Sequence, residues 1–367
     1  MSPTLSDLRR FAVTRSLFPP TTLDRALQSF GFVQADPIRA PARAQDLTLR
    51  HRVRGYRAGD LERRYDTLDV EEDVFVNYGF VTRDLQALMH PRAGSWTPAQ
   101  RKRVEAVLAF VRSSGSAHPR QVDERFAHGT VTNYWGGSSN STTRLLELMH
   151  YRGLLRVARR EAGVRVYAVQ DREPAPADRM ARAGRLDTLV DVVVRKYAPL
   201  PGPSLSNLVA RLRYAVPHWR RDLKAALQRA RQRLAHTRVD GTDWFWPPDE
   251  TVESGARPDT ARLLAPFDPV VWDRRRFEIF WGWAYRFEAY TPLAKRVRGY
   301  YALPLLWRER VIGWGNISVK NGAMRADLGY VDGRAPRDRH FRGGLGDELD
   351  RMRAFLATAP DTPGPAA

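Results

Sequence analysis

Apolar residues at Leu5, Leu8, Phe11, Ala12 and Leu17 recur at roughly helical spacing, so residues 5–17 read as a helix that Thr4 or Ser6 can cap. Pro19-Pro20 breaks it. Thr21-Thr22 then cap a second short helix that runs through Ser29 and ends at Gly31. The stretch Phe32-Val33-Gln34-Ala35-Asp36-Pro37-Ile38 follows at once and reads as extended, because a residue before proline is driven out of helical conformation. Two short helices running into an extended segment is the order of a helix-turn-helix with a wing. Residues 42–53 read as an amphipathic helix and 59–65 as a shorter one. Residues 74–80 read as an aromatic, β-branched strand, and 82–89 as a helix stopped by His90-Pro91.

A Ser/Gly/Pro break at residues 93–98 opens a second unit. It contains helices at 98–113, 118–128 and 141–151, with the loop Tyr134-Trp135-Gly136-Gly137-Ser138-Ser139 before the last. Strands at 154–158 and 164–169, joined by Arg159-Arg160-Glu161-Ala162-Gly163, read as a β-hairpin with a basic tip. Three helices and a hairpin is the winged-helix order. A third such unit is expected in 177–242, with helices at 187–197 and 204–213, a long Arg-rich helix at 219–236, and the strand Asp243-Trp244-Phe245-Trp246 after it. The C-terminal third alternates in strand fashion at 300–306, 310–318 and 324–331, with Lys320-Asn321-Gly322 as the turn between the last two. A helix at 347–357 closes the chain, and 359–367 reads as a disordered tail. The expected fold class is therefore α+β: tandem winged-helix units plus a C-terminal antiparallel β-rich, barrel-like domain. The expected boundaries are 1–92, 93–175, 176–250 and 251–358, with the tail from 359 to 367.

A length of 367 residues allows two or three domains, and ten Trp, thirteen Tyr and fifteen Phe can fill their cores. No apolar run is long enough to cross a bilayer and no signal peptide is visible, so the expectation is a cytoplasmic protein with no membrane partner. The absence of cysteine excludes disulfides, thiolate metal sites and a cysteine nucleophile. The net charge of +19 points to a polyanionic partner. The charge is local as well as global. Residues 211–240 hold nine Arg or Lys against two Asp, and 272–310 hold nine against four acids.

Phosphate-binding glycine loops, the His-Glu-x-x-His signature and a serine-nucleophile elbow are all missing, and the eight His show no pair at metal-ligand spacing. No metal or cofactor is expected. His51, between Arg50 and Arg52, reads as a surface or phosphate-contacting group, and Glu71-Glu72 as solvated. What remains is Gln34 and Asp36. In an extended chain residues i and i+2 share a side, so an amide that holds a water and a carboxylate that takes its proton would emerge together, a minimal hydrolytic pair. The same pattern also fits a plain strand end or turn. The aromatic-basic alternations Trp272-Asp273-Arg274-Arg275-Arg276-Phe277 and Trp281-Gly282-Trp283-Ala284-Tyr285-Arg286 offer ring faces for bases and guanidinium groups for phosphates. Phe277, Trp281 and Tyr285 equally fit one buried helix face. Arg159 and Arg160, at an exposed wing tip, suit minor-groove contact.

Three stretches carry a family resemblance. They are Phe32-Val33-Gln34-Ala35-Asp36-Pro37-Ile38 followed by Ala42-Arg43-Ala44-Gln45-Asp46-Leu47; residues 143–169 with Tyr151-Arg152-Gly153-Leu154-Leu155 leading into the basic hairpin; and Leu263-Leu264-Ala265-Pro266-Phe267-Asp268-Pro269-Val270-Val271-Trp272-Asp273-Arg274-Arg275-Arg276, continued by Tyr285-Arg286-Phe287-Glu288 and Lys295-Arg296-Val297-Arg298-Gly299-Tyr300-Tyr301. Together they resemble the winged-helix DNA glycosylases of the AlkZ/YcaQ type, the interstrand-crosslink repair family, over about residues 5–331. The resemblance implies monofunctional, metal-free excision of N7-alkylated purines, including crosslinked ones, by a monomer acting on double-stranded DNA, within a bacterial nucleoid. It implies a catalytic Gln-apolar-Gln or Gln-apolar-Asp signature, and Gln34 and Asp36 match the second form. Arg274, Arg275, Arg276, Arg296 and Arg298 join Arg159 and Arg160 as the expected DNA contacts. One departure stands out. Where the family pattern has an aromatic stretch ending in His-Ala-type residues, this chain reads Val76-Asn77-Tyr78-Gly79-Phe80-Val81-Thr82. A non-catalytic winged-helix regulator, or a structural or RNA-associated basic protein, also fits the charge and the element order.

Overall fold

The first helix, Leu5–Ser16, starts as its cap predicts: Asp7 N–H donates to the Thr4 hydroxyl at 3.2 Å while Thr4 N–H donates to the Asp7 carboxylate at 2.9 Å. Thr22 caps the second helix, Leu23–Phe30, and Gly31 ends it with φ 63°, a conformation that favours glycine. Phe32 follows directly as the first residue of the strand Phe32–Gln34. In the computed structural model, residues 3–92, 94–126, 129–132, 138–161, 163–171, 178–252 and 259–357 are described. The expected loop at 134–137, the Ala162 turn position and the expected tail at 359–367 lie outside them.

The chain is mixed α and β and gathers into two compact units. One is built from Met1–Leu61, Asp191–Leu208 and Ala230–Ala367, the other from Glu62–Val190 and Val209–Arg229. In the first, a four-stranded antiparallel sheet runs in the order Ala261–Leu263, Leu303–Trp307, Arg310–Lys320, Ala323–Tyr330. The predicted turn at Lys320-Asn321-Gly322 falls between the last two strands, which pair from Gly313 with Tyr330 to Lys320 with Ala323. Against this sheet packs Arg339–Leu356, longer than the helix expected at 347–357. Three glycines weaken its first half on propensity, but a Cβ on Gly344 would meet the Trp307 ring at 3.0 Å, so close approach to the sheet is what keeps glycine there. A smaller sheet pairs Thr242–Trp246 with both Leu200–Pro201 and Ala235–Val239. The long helix expected at 219–236 is instead a 3₁₀ turn at Pro217–Trp219, the helix Leu223–Arg233, and the start of the strand Ala235–Val239.

In the second unit the helices Pro98–Ser113, Pro119–Phe126 and Ser141–Tyr151 precede a hairpin of Leu155–Glu161 with Val164–Val169. Four expectations need correction in the two units. The strand expected at 74–80 is broken at 75–77, its ends belonging to two paired strands, Val70–Val74 and Tyr78–Thr82. Glu71 and Glu72 are buried rather than solvated: Glu71 accepts from Arg156 at 2.8 Å, and Glu72 is gripped by Arg160 through two contacts of 2.6 Å. A charge survives burial only when paired and hydrogen-bonded, and here arginine supplies both. The helix Ala44–Leu49 is buried at every residue, not amphipathic, and His51 beyond it is buried too, its Nε2 3.0 Å from the Leu263 carbonyl.

Candidate functional site

Gln34 ends its strand and Asp36 lies two residues past that end, before Pro37. Phe32 and Val33 are buried and anchor the segment, leaving both polar residues half-buried. The Gln34 Oε1 accepts a hydrogen bond from the Trp272 indole N–H at 2.8 Å. That contact assigns the two ends of the amide: oxygen toward the indole, nitrogen as the donating end. Asp36 Oδ1 accepts from the Ile38 N–H at 2.9 Å, an Asx turn of the kind that an aspartate before proline favours. The Asp36 N–H in turn reaches Gln45 Oε1 at 3.4 Å. Among the described residues no hydrogen bond reaches Asp36 Oδ2. Burial pushes the Asp36 carboxyl up from its ordinary range, partly offset by the Ile38 bond. Tyr301 completes the setting. It is buried, its hydroxyl has no hydrogen-bond partner among the described residues, and burial and then the charge of Asp36 push its ionisation up.

Two buried cations hold this segment from behind. The Lys196 ammonium donates to the Phe32 carbonyl and lies 4.4 Å over the Phe30 ring. Burial, with the nearby Arg52 charge, brings Lys196 down from 10.5 to about 7. In the unfolded chain lysine keeps its proton up to about 10.4. Between those values the unfolded state binds more protons, so this group makes the fold more stable as pH rises from about 7 toward 10. The thermal midpoint should carry that rising component, and Lys196→Met should lack it; an identical pH dependence in the two proteins would contradict this. Arg52 is the second cation. It is fully buried and makes a two-pronged pair with the equally buried Asp268, at 2.6 and 3.0 Å, while also donating to the Ser16 and Thr48 carbonyls. Asp268 then shapes the turn that carries Trp272: its Oδ1 accepts from Val270 N–H at 3.0 Å, and its carbonyl from Trp272 N–H at 2.8 Å.

The unusual stretch Pro266-Phe267-Asp268-Pro269-Val270-Val271-Trp272 is thus a bracket linking Arg52 to Gln34. The expected DNA contacts sort differently. Arg276 is wholly buried and donates to the Tyr197 and Pro269 carbonyls, so it cannot reach a phosphate. Arg274 is half-buried, donates to the Val271 and Pro266 carbonyls and lies 4.5 Å over the Tyr285 ring. Arg160 is committed to Glu72. Arg159 and Arg275 are exposed, the former beside Glu161. Arg296 and Arg298 are half-buried beside rings, Arg296 5.0 Å from the centre of Tyr300, and Arg298 5.0 and 5.5 Å from those of Trp283 and Trp314. Phe277 and Trp281 are buried on the helix Arg274–Trp281, which ends at Gly282, and Tyr285 is buried in the segment beyond it. Reading the sequence missed Trp272 as the partner of Gln34, along with Lys196 and Tyr301. Trp272 and Tyr301 carried a signal, since both lie in the stretches that bear the family resemblance, and Lys196 carried none.

Among the described residues no group of three or more His, Asp or Glu side chains is placed to hold a metal ion, and no helix is long and apolar enough to cross a membrane. The fold has a solved counterpart. The Streptomyces sahachiroi DNA glycosylase AlkZ superposes with a TM-score of 0.62 over 97% of this chain and 97% of that one, at 12% sequence identity. A likeness at that identity speaks for the fold alone. The sequence itself matches the family model "DNA glycosylase AlkZ-like" over residues 27–355, a span that takes in Gln34, Asp36, the Asp268–Trp272 bracket and Tyr301. This chain therefore belongs to the AlkZ-like DNA glycosylase family.

Proposed function

We propose that the protein is a monofunctional DNA glycosylase that hydrolyses the N-glycosidic bond of N7-alkylated purines in duplex DNA, interstrand crosslinks among them, with Asp36 and Gln34 as its catalytic residues. Alkylation at N7 leaves the base positively charged, so the electrons of the breaking bond neutralise it and no strong acid is needed at the leaving group. The enzyme's task is at the sugar. Positive charge develops there, and a water must lose a proton as its oxygen bonds to C1′. Asp36 faces that charge as a carboxylate and takes the water's proton on Oδ2. Gln34 donates from its amide nitrogen to the water oxygen, because its own oxygen is turned to Trp272. The observation that carries this reading is the Asp36 carboxylate itself: half-buried, raised by burial, with one oxygen tied to Ile38 and no hydrogen bond from a described residue on the other. A raised base is better matched to proton transfer near neutral pH.

In this reading the chain works as a monomer without a cofactor. The helix-helix-helix-hairpin order from Pro98–Ser113 to Val164–Val169 is a winged helix, one of three along the divisions 1–92, 93–175 and 176–250, ahead of the β-rich 251–358. The basic surfaces, Arg159 and Arg275 included, supply salt-dependent attraction to phosphate.

Incubating the protein with duplex DNA carrying N7-methylguanine should release the free base and leave alkali-labile abasic sites, with no strand scission before alkali. Intact lesions, combined with recovery of one preferred sequence from random DNA, would point to a regulator. Trp272→Phe keeps a ring but loses the indole N–H, so Gln34 loses its anchor. Single-turnover excision should slow on the order of ten- to hundredfold, the cost of a misplaced catalytic group, while stability falls by about 1 kcal/mol for one hydrogen bond. An unchanged rate would show that Gln34 needs no such anchoring.

A further inference from the structure

Among the described residues large apolar side chains exposed to water are few, and almost half of them cluster in one segment. Of the nine described residues so exposed, four fall between 290 and 300: Tyr290 at 81%, Leu293 at 79%, Val297 at 76% and Tyr300 at 43%. The clustering makes the segment worth explaining, since isolated exposed apolar residues would not be. Nor is the segment loosely built. Glu288, buried at its base, accepts the backbone N–H groups of Val297, Arg298 and Gly299 on a single oxygen, at 3.0, 2.9 and 3.2 Å. Asn316 donates to the Arg298 carbonyl at 2.7 Å, and Arg296 donates to the Thr291 carbonyl at 2.8 Å. Leu293 opens the 3₁₀ turn Leu293–Lys295. The backbone is held in place while the apolar side chains stand out from it.

The charge around them has one sign. Arg286, Lys295, Arg296 and Arg298 lie in or beside the segment, and the one acid from 286 to 300 is Glu288, already spent on the backbone. The segment also adjoins the candidate site. Tyr301, which feels the Asp36 charge, packs its ring 5.0 Å from Phe287, and Phe287 packs 6.0 Å from Tyr290. Apolar tips ringed by cations match a base stack lined by phosphates, and proteins that open duplex DNA push such side chains between base steps. An acidic protein partner would meet the cations but would leave the rigid presentation of the apolar tips without a use.

We propose that Leu293 and Val297 form a wedge that enters the base stack of duplex DNA beside the lesion, with Lys295, Arg296 and Arg298 seated on the flanking phosphates. The wedge fills the space opened when the damaged nucleotide leaves its stacked position, which brings the sugar within reach of Asp36. A crosslinked base cannot swing out fully, so local unstacking beside it is the opening such a substrate permits. The inference rests on the glycosylase reading, and its test separates the two.

The probe is a duplex with N7-methylguanine and an adjacent 2-aminopurine, whose fluorescence rises when it unstacks. Wild-type protein should raise that fluorescence and release the modified base. The polar pair Leu293→Ser/Val297→Ser should lose the rise and excise about tenfold more slowly, since unstacking is then unsupported. Both positions are exposed, so its thermal midpoint should match the wild type. The pair Leu293→Met/Val297→Ile should keep both the rise and the rate. A full fluorescence rise in the polar pair, or its loss in the conservative pair, overturns the wedge. Excision by wild type with no rise overturns the wedge alone. A rise without any excision leaves the wedge standing and removes the glycosylase reading instead.

Discussion

Asp36→Asn should slow excision of N7-methylguanine from duplex DNA by about 10²–10⁴-fold, the usual worth of a positioned general base, while affinity for the same duplex stays nearly unchanged. Asparagine keeps the size of the side chain and can still accept the Ile38 N–H, so the Asx turn survives. It cannot take a proton from water, and it offers no charge to an oxocarbenium-like sugar. The stability of the variant separates a catalytic role from a scaffolding one. Burial raises the Asp36 pKa above its unfolded value. Such a group favours the fold fully only below the unfolded pKa, near 3.9, and that contribution is lost as pH rises through the folded value. At neutral pH the ionised carboxylate is therefore a cost to the fold, and Asp36→Asn should melt at the same temperature as wild type or slightly higher. A scaffolding aspartate would show the opposite, a lower midpoint. The wild-type rate should also fall on the acid side with an apparent pKa above that of an ordinary aspartate. Turnover equal to wild type in Asp36→Asn would remove Asp36 from the mechanism.

How much of this was legible in the sequence differs by element. Caps and turns were, because they are local: Thr4, Thr22, Gly31 and Lys320-Asn321-Gly322 act within a few residues of themselves. The extended run that carries Gln34 and Asp36 was legible, because a following proline limits what those residues can do. Their support was not. Trp272 lies 238 positions from Gln34, and Arg52 lies 216 from Asp268. Nothing in a hydrophobic pattern announces which tryptophan donates to which amide. Arginine was the largest source of error. A guanidinium has five donors and no fixed preference for solvent, so Arg276 among backbone carbonyls and Arg160 on Glu72 look, in sequence, like Arg275 on the surface. The Glu71-Glu72 pair misled for the mirror-image reason. Read as solvated, it is buried, and so is Asp73 beside it, held by Arg92 at 2.8 Å, His90 at 2.6 Å and Gln86 at 2.9 Å. In a chain so rich in arginine, acids are the scarcer partner, and the fold draws several of them inside.

Asp268→Ala should be the most damaging single change to stability outside the apolar core, at about 3–5 kcal/mol, the cost of leaving one partner of a buried ion pair uncompensated. Arg52 is entirely enclosed, and its other contacts are the neutral carbonyls of Ser16 and Thr48 and the face of Phe30. None of these balances a full positive charge at close range. Removing Asp268 also frees the Val270 N–H and loosens the turn that presents Trp272 to Gln34. Urea unfolding followed by tryptophan fluorescence would measure the loss. Since domains of this kind are stable by only about 5–15 kcal/mol, the variant should unfold at a much lower denaturant concentration. The pair Arg52→Met/Asp268→Leu distinguishes a missing charge partner from a missing shape: with neither charge buried, much of the stability should return. Excision should not return with it, because the Val270 contact that sets the Trp272 turn is still absent, and Gln34 depends on that turn for its orientation. Stability recovered with activity still lost is thus the expected signature of a bracket whose charges hold the fold and whose turn aims the Gln34 amide. A single variant Asp268→Ala within about 1 kcal/mol of wild type, the range of an exposed pair, would deny the pair that role.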